Sequence, residues 1–288
     1  MAVGFLGLGV MGLPMARNLA RHYPLTVWNR STSKYALLTD AENITLAETP
    51  LQVVEVSDII FIMLFDADAI DAVLTDEVKR ALRGKTVVNS TSVTVEYSQK
   101  LGETIHDVFG GDFLEMPVSG SKIPAEQGHL VGLMAGEADV AERVRPLLHP
   151  LTSAAIYCGP LGSGLKAKYA ANTFATILAA GVAETMHFAQ ALGLDLEAFG
   201  RVLNASPMAS AYSRGKVAKI QDGDWEAQAS VGVCCYSARL IEAAAEEAGA
   251  SLPLMRTCKG LYDEAMEGGL GEEDMVAVIK TIAKRKSG

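Results

Sequence analysis

Along the first half of the chain, short apolar runs alternate with amphipathic segments, the pattern of parallel β/α winding. Apolar runs at Val3–Leu6, Leu25–Trp28, 59–64 and Thr86–Asn89 read as strands, and shorter runs at 114–116, 130–134 and 155–158 extend the same sheet. Helical segments lie between them, the first over residues 11–21. After Gly159-Pro160-Leu161-Gly162-Ser163-Gly164 the pattern changes. Residues 165–192 are rich in alanine and free of proline, enough for about seven helical turns. The remainder keeps a helical pattern, broken at Ser206-Pro207, Gly223 and Leu252-Pro253, with little strand character. The expected fold is α/β: a Rossmann-type doubly wound parallel sheet over residues 1–162, followed by an all-helical domain over 163–288 entered by one long interdomain helix.

Composition narrows the class of function. The 288 residues are 49% hydrophobic and 20% charged, a globular balance that supports a sizeable core. A net charge of −9 argues against a nucleic-acid or anionic-membrane partner, which would need clustered Lys and Arg. The basic run Lys284-Arg285-Lys286 reads as a solvated helix end. The apolar start is too short for a membrane span and has no basic leader, so it reads as a strand. Cys158, Cys234, Cys235 and Cys258 show no C-x-x-C spacing, which fits a reducing, cytoplasmic compartment. The five histidines show no metal-ligand spacing.

Gly7-x-Gly9-x-x-Gly12 follows a strand and opens a helix, the context in which this spacing has meaning. Gly7 permits the tight turn, Gly9 admits a pyrophosphate close to the backbone, and Gly12 lets helix and strand pack. The intervening Val10 and Met11 belong to the same turn, and the helix start offers free N–H groups and partial positive charge. The end of the second strand reads Asn29-Arg30-Ser31-Thr32-Ser33-Lys34. An Asp or Glu holding a ribose 2′-hydroxyl is missing there, whereas Arg30, with Ser31, Thr32 and Lys34, suits a 2′-phosphate. NADPH/NADP+ is therefore the expected cofactor; the alternative is that Arg30 and Lys34 are ordinary surface charges.

Lys168 and Asn172 are four residues apart in the long helix and share a face, with Lys166 turned away. An ammonium beside a carbonyl oxygen can stabilise the charge that grows there as hydride arrives at carbon, and donate a proton. Alone, a helical lysine is usually a solvated group; here it follows a Gly-x-Gly turn on a dinucleotide-binding chain. The stretch 115–122, with Ser119, Gly120 and Ser121, offers hydroxyls and N–H groups suited to a substrate carboxylate, or is simply a turn shaped by proline and glycine. Thr91, after the fourth long strand, is expected beside the nicotinamide, and Met63, Leu64 and Phe65 are expected to pack on the cofactor.

These residues resemble the β-hydroxyacid dehydrogenase family. The stretch from Gly7 through Leu13-Pro14-Met15-Ala16-Arg17-Asn18-Leu19 is similar to its N-terminal signature, Pro117-Val118-Ser119-Gly120 to its substrate signature, and Gly162-x-Gly164-x-x-x-Lys168-x-x-x-Asn172 to its catalytic signature. The closing segment from Gly271 to Ile279 also matches, so the likeness spans the chain. Residues 29–34 and 119–128 most resemble the NADPH-dependent glyoxylate and succinic semialdehyde reductases within that family. The resemblance implies a homo-oligomer (dimer or tetramer), a small-molecule carbonyl substrate, and Lys168 as catalytic acid with Asn172 as its partner. It also implies contacts from Thr91, Ser119, Gly120 and Ser121 to substrate or nicotinamide.

The chain departs from the family at one place. A Lys-Asp pair expected near the start of the helix before Leu252-Pro253-Leu254 is replaced by Tyr236-Ser237, and an aromatic residue expected a few positions earlier by Ala229. Losing an aromatic ring and a carboxylate should widen the pocket and change its polarity. Three other readings therefore stand beside a carbonyl reductase: oxidation of a 3-hydroxy acid such as 3-hydroxyisobutyrate, imine reduction, and a non-catalytic NADP-binding protein.

Overall fold

The structure, a computed structural model, describes residues 1–38 and 43–285. Among them nine strands form one sheet: β1 (Val3–Leu6), β2 (Leu25–Trp28), β3 (Ile44–Leu46), β4 (Ile59–Ile62), β5 (Thr86–Asn89), β6 (Asp112–Glu115), β7 (Val118–Ser119), β8 (Leu130–Gly136) and β9 (Thr152–Gly159). Their order is β3-β2-β1-β4-β5-β6-β8-β7, with β9 also paired to β8. The first six are parallel, and the order reverses between β1 and β4, which opens a crevice beyond the strand ends. β1, β4 and β5 are buried at every position, which is why β1 and β4 read as unbroken apolar runs rather than alternations, while β5 buries Thr86 and Asn89 at its ends. Phe5 and Phe61 stack across β1 and β4 with ring centroids 6.2 Å apart.

Between the strands run α1 (Gly12–Ala20), α2 (Pro50–Glu55), α3 (Ala67–Val73), α4 (Asp76–Arg80), α5 (Val95–Glu103), α6 (Lys122–Gln127) and α7 (Ala138–Val144). The long helix α8 (Ser163–Ala191) follows, then α9 (Leu196–Ala205), α10 (Ala211–Asp222), α11 (Val231–Glu247), α12 (Pro253–Glu267) and α13 (Val278–Ile282). Two compact units, Met1–Lys168 and Tyr169–Gly288, part within α8. The helical unit has its own core, in which Ala183, Met186, Val217, Cys234, Tyr262 and Val276 pack together. The breaks seen in the sequence act as expected. Ser206 ends α9, Gly223 takes the left-handed conformation after α10 at φ 62°, and Pro253 opens α12 where its missing N–H costs nothing. No described helix is long and apolar enough to cross a membrane, and the four cysteines are free thiols.

Several boundaries differ from the sequence reading. The run 59–64 ends as a strand at Ile62, because the Leu64 N–H leaves the ladder and donates to the Thr91 hydroxyl (3.0 Å). The run 114–116 begins earlier, at Asp112, and stops before Pro117, which has no N–H to give. β8 and β9 are longer than 130–134 and 155–158 because each pairs with the other over its length, and the exposed polar start of β9 hides its strand character. β3 is too short to read in advance, and β7 lies inside what seemed a free loop. At the C-terminus Arg285 is not simply solvated: it pairs with Glu264 (Nε to Oε2 3.0 Å), and Lys286 lies outside the described residues.

Candidate functional site

The turn after β1 is shaped by two kinds of glycine. Gly7 has φ +103°, and a Cβ there would lie 2.3 Å from the Met63 carbonyl oxygen; a Cβ on Gly12 would lie 2.0 Å from the Gly7 oxygen. Those two are dictated by the protein's own packing. Gly9 is different: nothing lies within 4 Å of the Cβ it lacks, and its neighbour Val10 is 63% exposed. The protein needs no glycine there for itself, while a pyrophosphate approaching the backbone does. The start of α1 agrees, with no side-chain cap and no acidic residue in its first turn to oppose an anion. The turn fits a dinucleotide.

Asn29 is built into that turn. Its Oδ1 accepts the Leu8 N–H (2.8 Å) and its Nδ2 donates to the Ser31 carbonyl (2.9 Å), tying the end of β2 to the glycine loop. The Tyr35 hydroxyl accepts the Asn29 N–H (3.1 Å) and donates to Ala47 O (2.8 Å). Arg30, Ser31, Thr32 and Lys34 stay exposed beside this pinned frame, the last two on a short 3-10 helix, Thr32–Leu38. Their side chains are thus presented at the carboxyl end of β2 without a carboxylate among them.

At the end of β4, Met63 and Leu64 are half-buried and Phe65 is 64% exposed. Thr91, after β5, is fully buried, and its oxygen accepts the Leu64 N–H. It holds the β4 and β5 ends together, a use the sequence does not announce. Asn89 is buried beside it and accepts the Thr91 N–H (3.1 Å).

The expected loop at 115–122 is partly a strand. Val118 and Ser119 pair in register with Gly132 and Val131 of β8, so backbone expected to be free is committed to the sheet. Gly120 leaves the strand at φ +132°, where an added Cβ would meet Leu130 at 2.7 Å, and Ser121 precedes α6. Glycine is therefore required for the chain to turn out of β7, which leaves Gly120 exposed and Ser119 and Ser121 half-buried.

Lys168 lies on the second turn of α8, half-buried, and burial alone pushes its ammonium down from the usual 10.5 to about 8. Lys166 is exposed, as the helical period requires. Asn172, one turn on, donates from Nδ2 to the hydroxyl of Ser237 at 2.8 Å. Ser237 is one of the two residues standing where the family resemblance expects a Lys-Asp pair, so a neutral hydroxyl occupies that place. Ala229 packs at the edge of the helical unit's core, and its carbonyl accepts the Met275 N–H (2.8 Å). Among the described residues no group of three or more His, Cys, Asp or Glu is placed to hold a metal ion.

Comparison with known proteins extends over the whole chain. Residues 2–159 match the family model for the NAD-binding domain of 6-phosphogluconate dehydrogenase. Residues 162–282 match the one for the NAD-binding domain of NADP-dependent 3-hydroxyisobutyrate dehydrogenase. Glyoxylate/succinic semialdehyde reductase 1 of Arabidopsis thaliana is 31% identical over 286 residues, covering 98% of both chains. The 2-hydroxy-3-oxopropionate reductase of Escherichia coli is 30% identical, covering 98% of this chain and 97% of its own. Among solved structures, a 3-hydroxyisobutyrate dehydrogenase from Salmonella typhimurium superposes with a TM-score of 0.88 at 25% identity, over 97% of this chain and 99% of that one.

Proposed function

The chain belongs to the β-hydroxyacid dehydrogenase family and is a nicotinamide-dependent oxidoreductase; on that premise we propose that it is an NADPH-dependent reductase of small aldehydes and keto acids, of the glyoxylate and succinic semialdehyde class. The observation that carries this reading is Lys168. A half-buried ammonium brought down to about 8 is protonated at neutral pH yet gives up its proton more readily than an ordinary lysine, the property a general acid needs. When bound, the nicotinamide supplies the hydride to the carbonyl carbon. Lys168 faces the carbonyl oxygen, stabilises its growing charge and protonates it, while Asn172 orients the oxygen. Ser119, Gly120 and Ser121 take the substrate carboxylate, and Thr91 keeps the β4 and β5 ends in place beside the ring.

Preference for the phosphorylated cofactor rests on the end of β2, where Arg30 and its hydroxyl neighbours meet no carboxylate. Charge-assisted hydrogen bonds are worth about 1.5–3 kcal/mol, so Arg30→Ala should raise KM for NADPH by roughly 10- to 100-fold and leave KM for NADH unchanged. The experiment follows cofactor oxidation with glyoxylate, succinic semialdehyde, a bulky ketone and a cyclic imine. Turnover of the two small acids, faster with NADPH, is the expected result. Equal use of NADH with an indifferent Arg30→Ala removes the cofactor assignment. Turnover of the imine alone makes the protein an imine reductase with a pocket redirected by Ala229 and Tyr236-Ser237.

The helical unit also exposes large apolar side chains, with Phe174 at 70%, Phe188 at 62% and Met208 at 79%. We assign their cover to a second copy of the chain. Sedimentation at micromolar concentration should return a dimer or tetramer; a monomer would end that assignment.

A further inference from the structure

In the first unit Glu115 is a carboxylate with 1% exposure, at the end of β6, and it sits against the start of α8. Its Oε1 accepts the Leu165 N–H (2.8 Å), and its Oε2 accepts the Gly162 N–H (3.2 Å) and the Ser98 hydroxyl (2.6 Å). The Gly164 N–H is directed at the same group. These are the N–H groups that a helix start leaves without intrahelical partners, and a carboxylate answers both them and the helix's positive end. A residue 47 positions earlier in the chain thus takes the place of a local cap.

This contact is one reason for a glycine at position 164. A Cβ on Gly164 would lie 2.9 Å from Glu115 Oε1 and 2.5 Å from the Leu133 carbonyl oxygen. Gly162 has φ +93° and turns the chain into the helix. From α5, Gln99 holds the Leu161 carbonyl (3.1 Å) next to the Ser98 contact. Gly164, four residues before the lysine, therefore makes room for a buried acid.

Resting on the reading of Lys168 as proton donor, we infer that Glu115 is the positioning residue that sets where Lys168 stands relative to the substrate loop. Gly164 and Leu165 lie four and three residues before Lys168, on the same helix face one turn away. A shift of α8 by one residue would move the lysine by about 1.5 Å and turn it by about 100°, and it would break every bond to Glu115. On its other side Glu115 leads directly into Met116-Pro117-Val118-Ser119-Gly120-Ser121. One side chain thereby joins the segment proposed to hold the substrate to the helix proposed to protonate it. Burial raises the carboxyl's pKa, against four hydrogen bonds that lower it.

The test uses the full chain with Glu115→Gln and Ser98→Ala. Glutamine keeps the size but places an NH2 group against the Gly162 N–H, donor facing donor. A misplacement of about 1 Å can cost on the order of 100-fold in rate. We expect Glu115→Gln to keep KM for NADPH and to lower kcat by roughly 10- to 100-fold. The high-pH limb of the kcat profile should move upward from about 8 as the lysine loses its fixed burial. Ser98→Ala should move both in the same direction by less, and Glu115→Asp, which keeps the charge, should restore part of kcat. Competitive acetylation read by mass spectrometry follows the Lys168 titration without any need for turnover. An unmoved Lys168 titration in folded Glu115→Gln overturns the inference, whatever happens to kcat. Should wild-type turnover prove indifferent to Lys168→Ala, the proton-donor reading fails, and the labelling still decides what Glu115 does. If the glutamine variant does not fold, Ser98→Ala carries both measurements, and a titration identical to wild type overturns the inference there too.

Discussion

Lys168→Ala is expected to lower kcat for carbonyl reduction by roughly 100-fold or more, the scale of losing a general acid, with KM for NADPH little changed. The alanine leaves the developing oxyanion with neither a proton nor a positive charge in a site sheltered enough to depress the lysine to about 8. The pH profile separates chemistry from fold. Reduction uses the protonated ammonium, so kcat is level below about pH 8 and falls about tenfold per unit above it. Oxidation of the alcohol uses the neutral amine and rises through the same value. Lys168→Arg should not rescue activity, since a guanidinium does not release its proton in this range.

The same depression has a stability consequence of opposite sign. Between about 8 and the ordinary lysine value of 10.5 the unfolded chain binds more protons than the folded one, so this group's contribution improves as pH rises. Below 8 the buried charge opposes folding. Lys168→Met should therefore be inactive and yet no less stable at neutral pH. Steady-state kinetics in both directions and a denaturation curve for each variant check this. Retained turnover with an unchanged limb would take Lys168 out of the reaction.

Asp274→Ala should be the most damaging single change to the helical unit, costing about 3–5 kcal/mol, the range for breaking a buried ion pair from one side. Lys216 and Asp274 have 3% and 0% side-chain exposure and meet at 2.7 Å. Asp274 Oδ1 also accepts the Val276 N–H (3.1 Å), and Oδ2 accepts the Gln228 N–H (3.0 Å). Its own N–H donates to Trp225 O (2.9 Å), and the ammonium stands 5.6 Å from the Tyr212 ring centroid. Alanine would leave a buried ammonium and two backbone donors without their acceptor. Chemical denaturation of Asp274→Ala beside Lys216→Met/Asp274→Leu gives the measurement. The single variant should be much the weaker, since removing both charges removes the penalty of an unpaired one. A loss below about 1 kcal/mol would mean the pair is replaceable by local rearrangement.

Composition and pattern alone determined a good deal. The parallel sheet is legible because strands buried on both faces favour apolar residues: Val3–Leu6 and Ile59–Ile62 carry no polar side chain, and Thr86–Asn89 has Val87 and Val88 at its centre. The helical half shows through its breaks, since Pro253 and Gly223 act through their own backbone preferences and need no partner. Gly7 and Gly12 are similar, because a βα turn is a local structure. The Lys168–Asn172 pair follows from the helical period. What a residue touches across the chain was not legible. That Asn29 holds the Gly7 turn, that Thr91 clamps Leu64, that Ser119 is half inside a strand and that Ser237 meets Asn172 depend on which segments the topology sets side by side. Glu115 shows the reason most plainly. In the sequence it is one acid before a proline-containing turn; in the fold β6 ends against the start of α8, and a buried carboxylate there has to find donors. Local preferences are written residue by residue, whereas the partners of a buried polar group are chosen only when strands and helices pack.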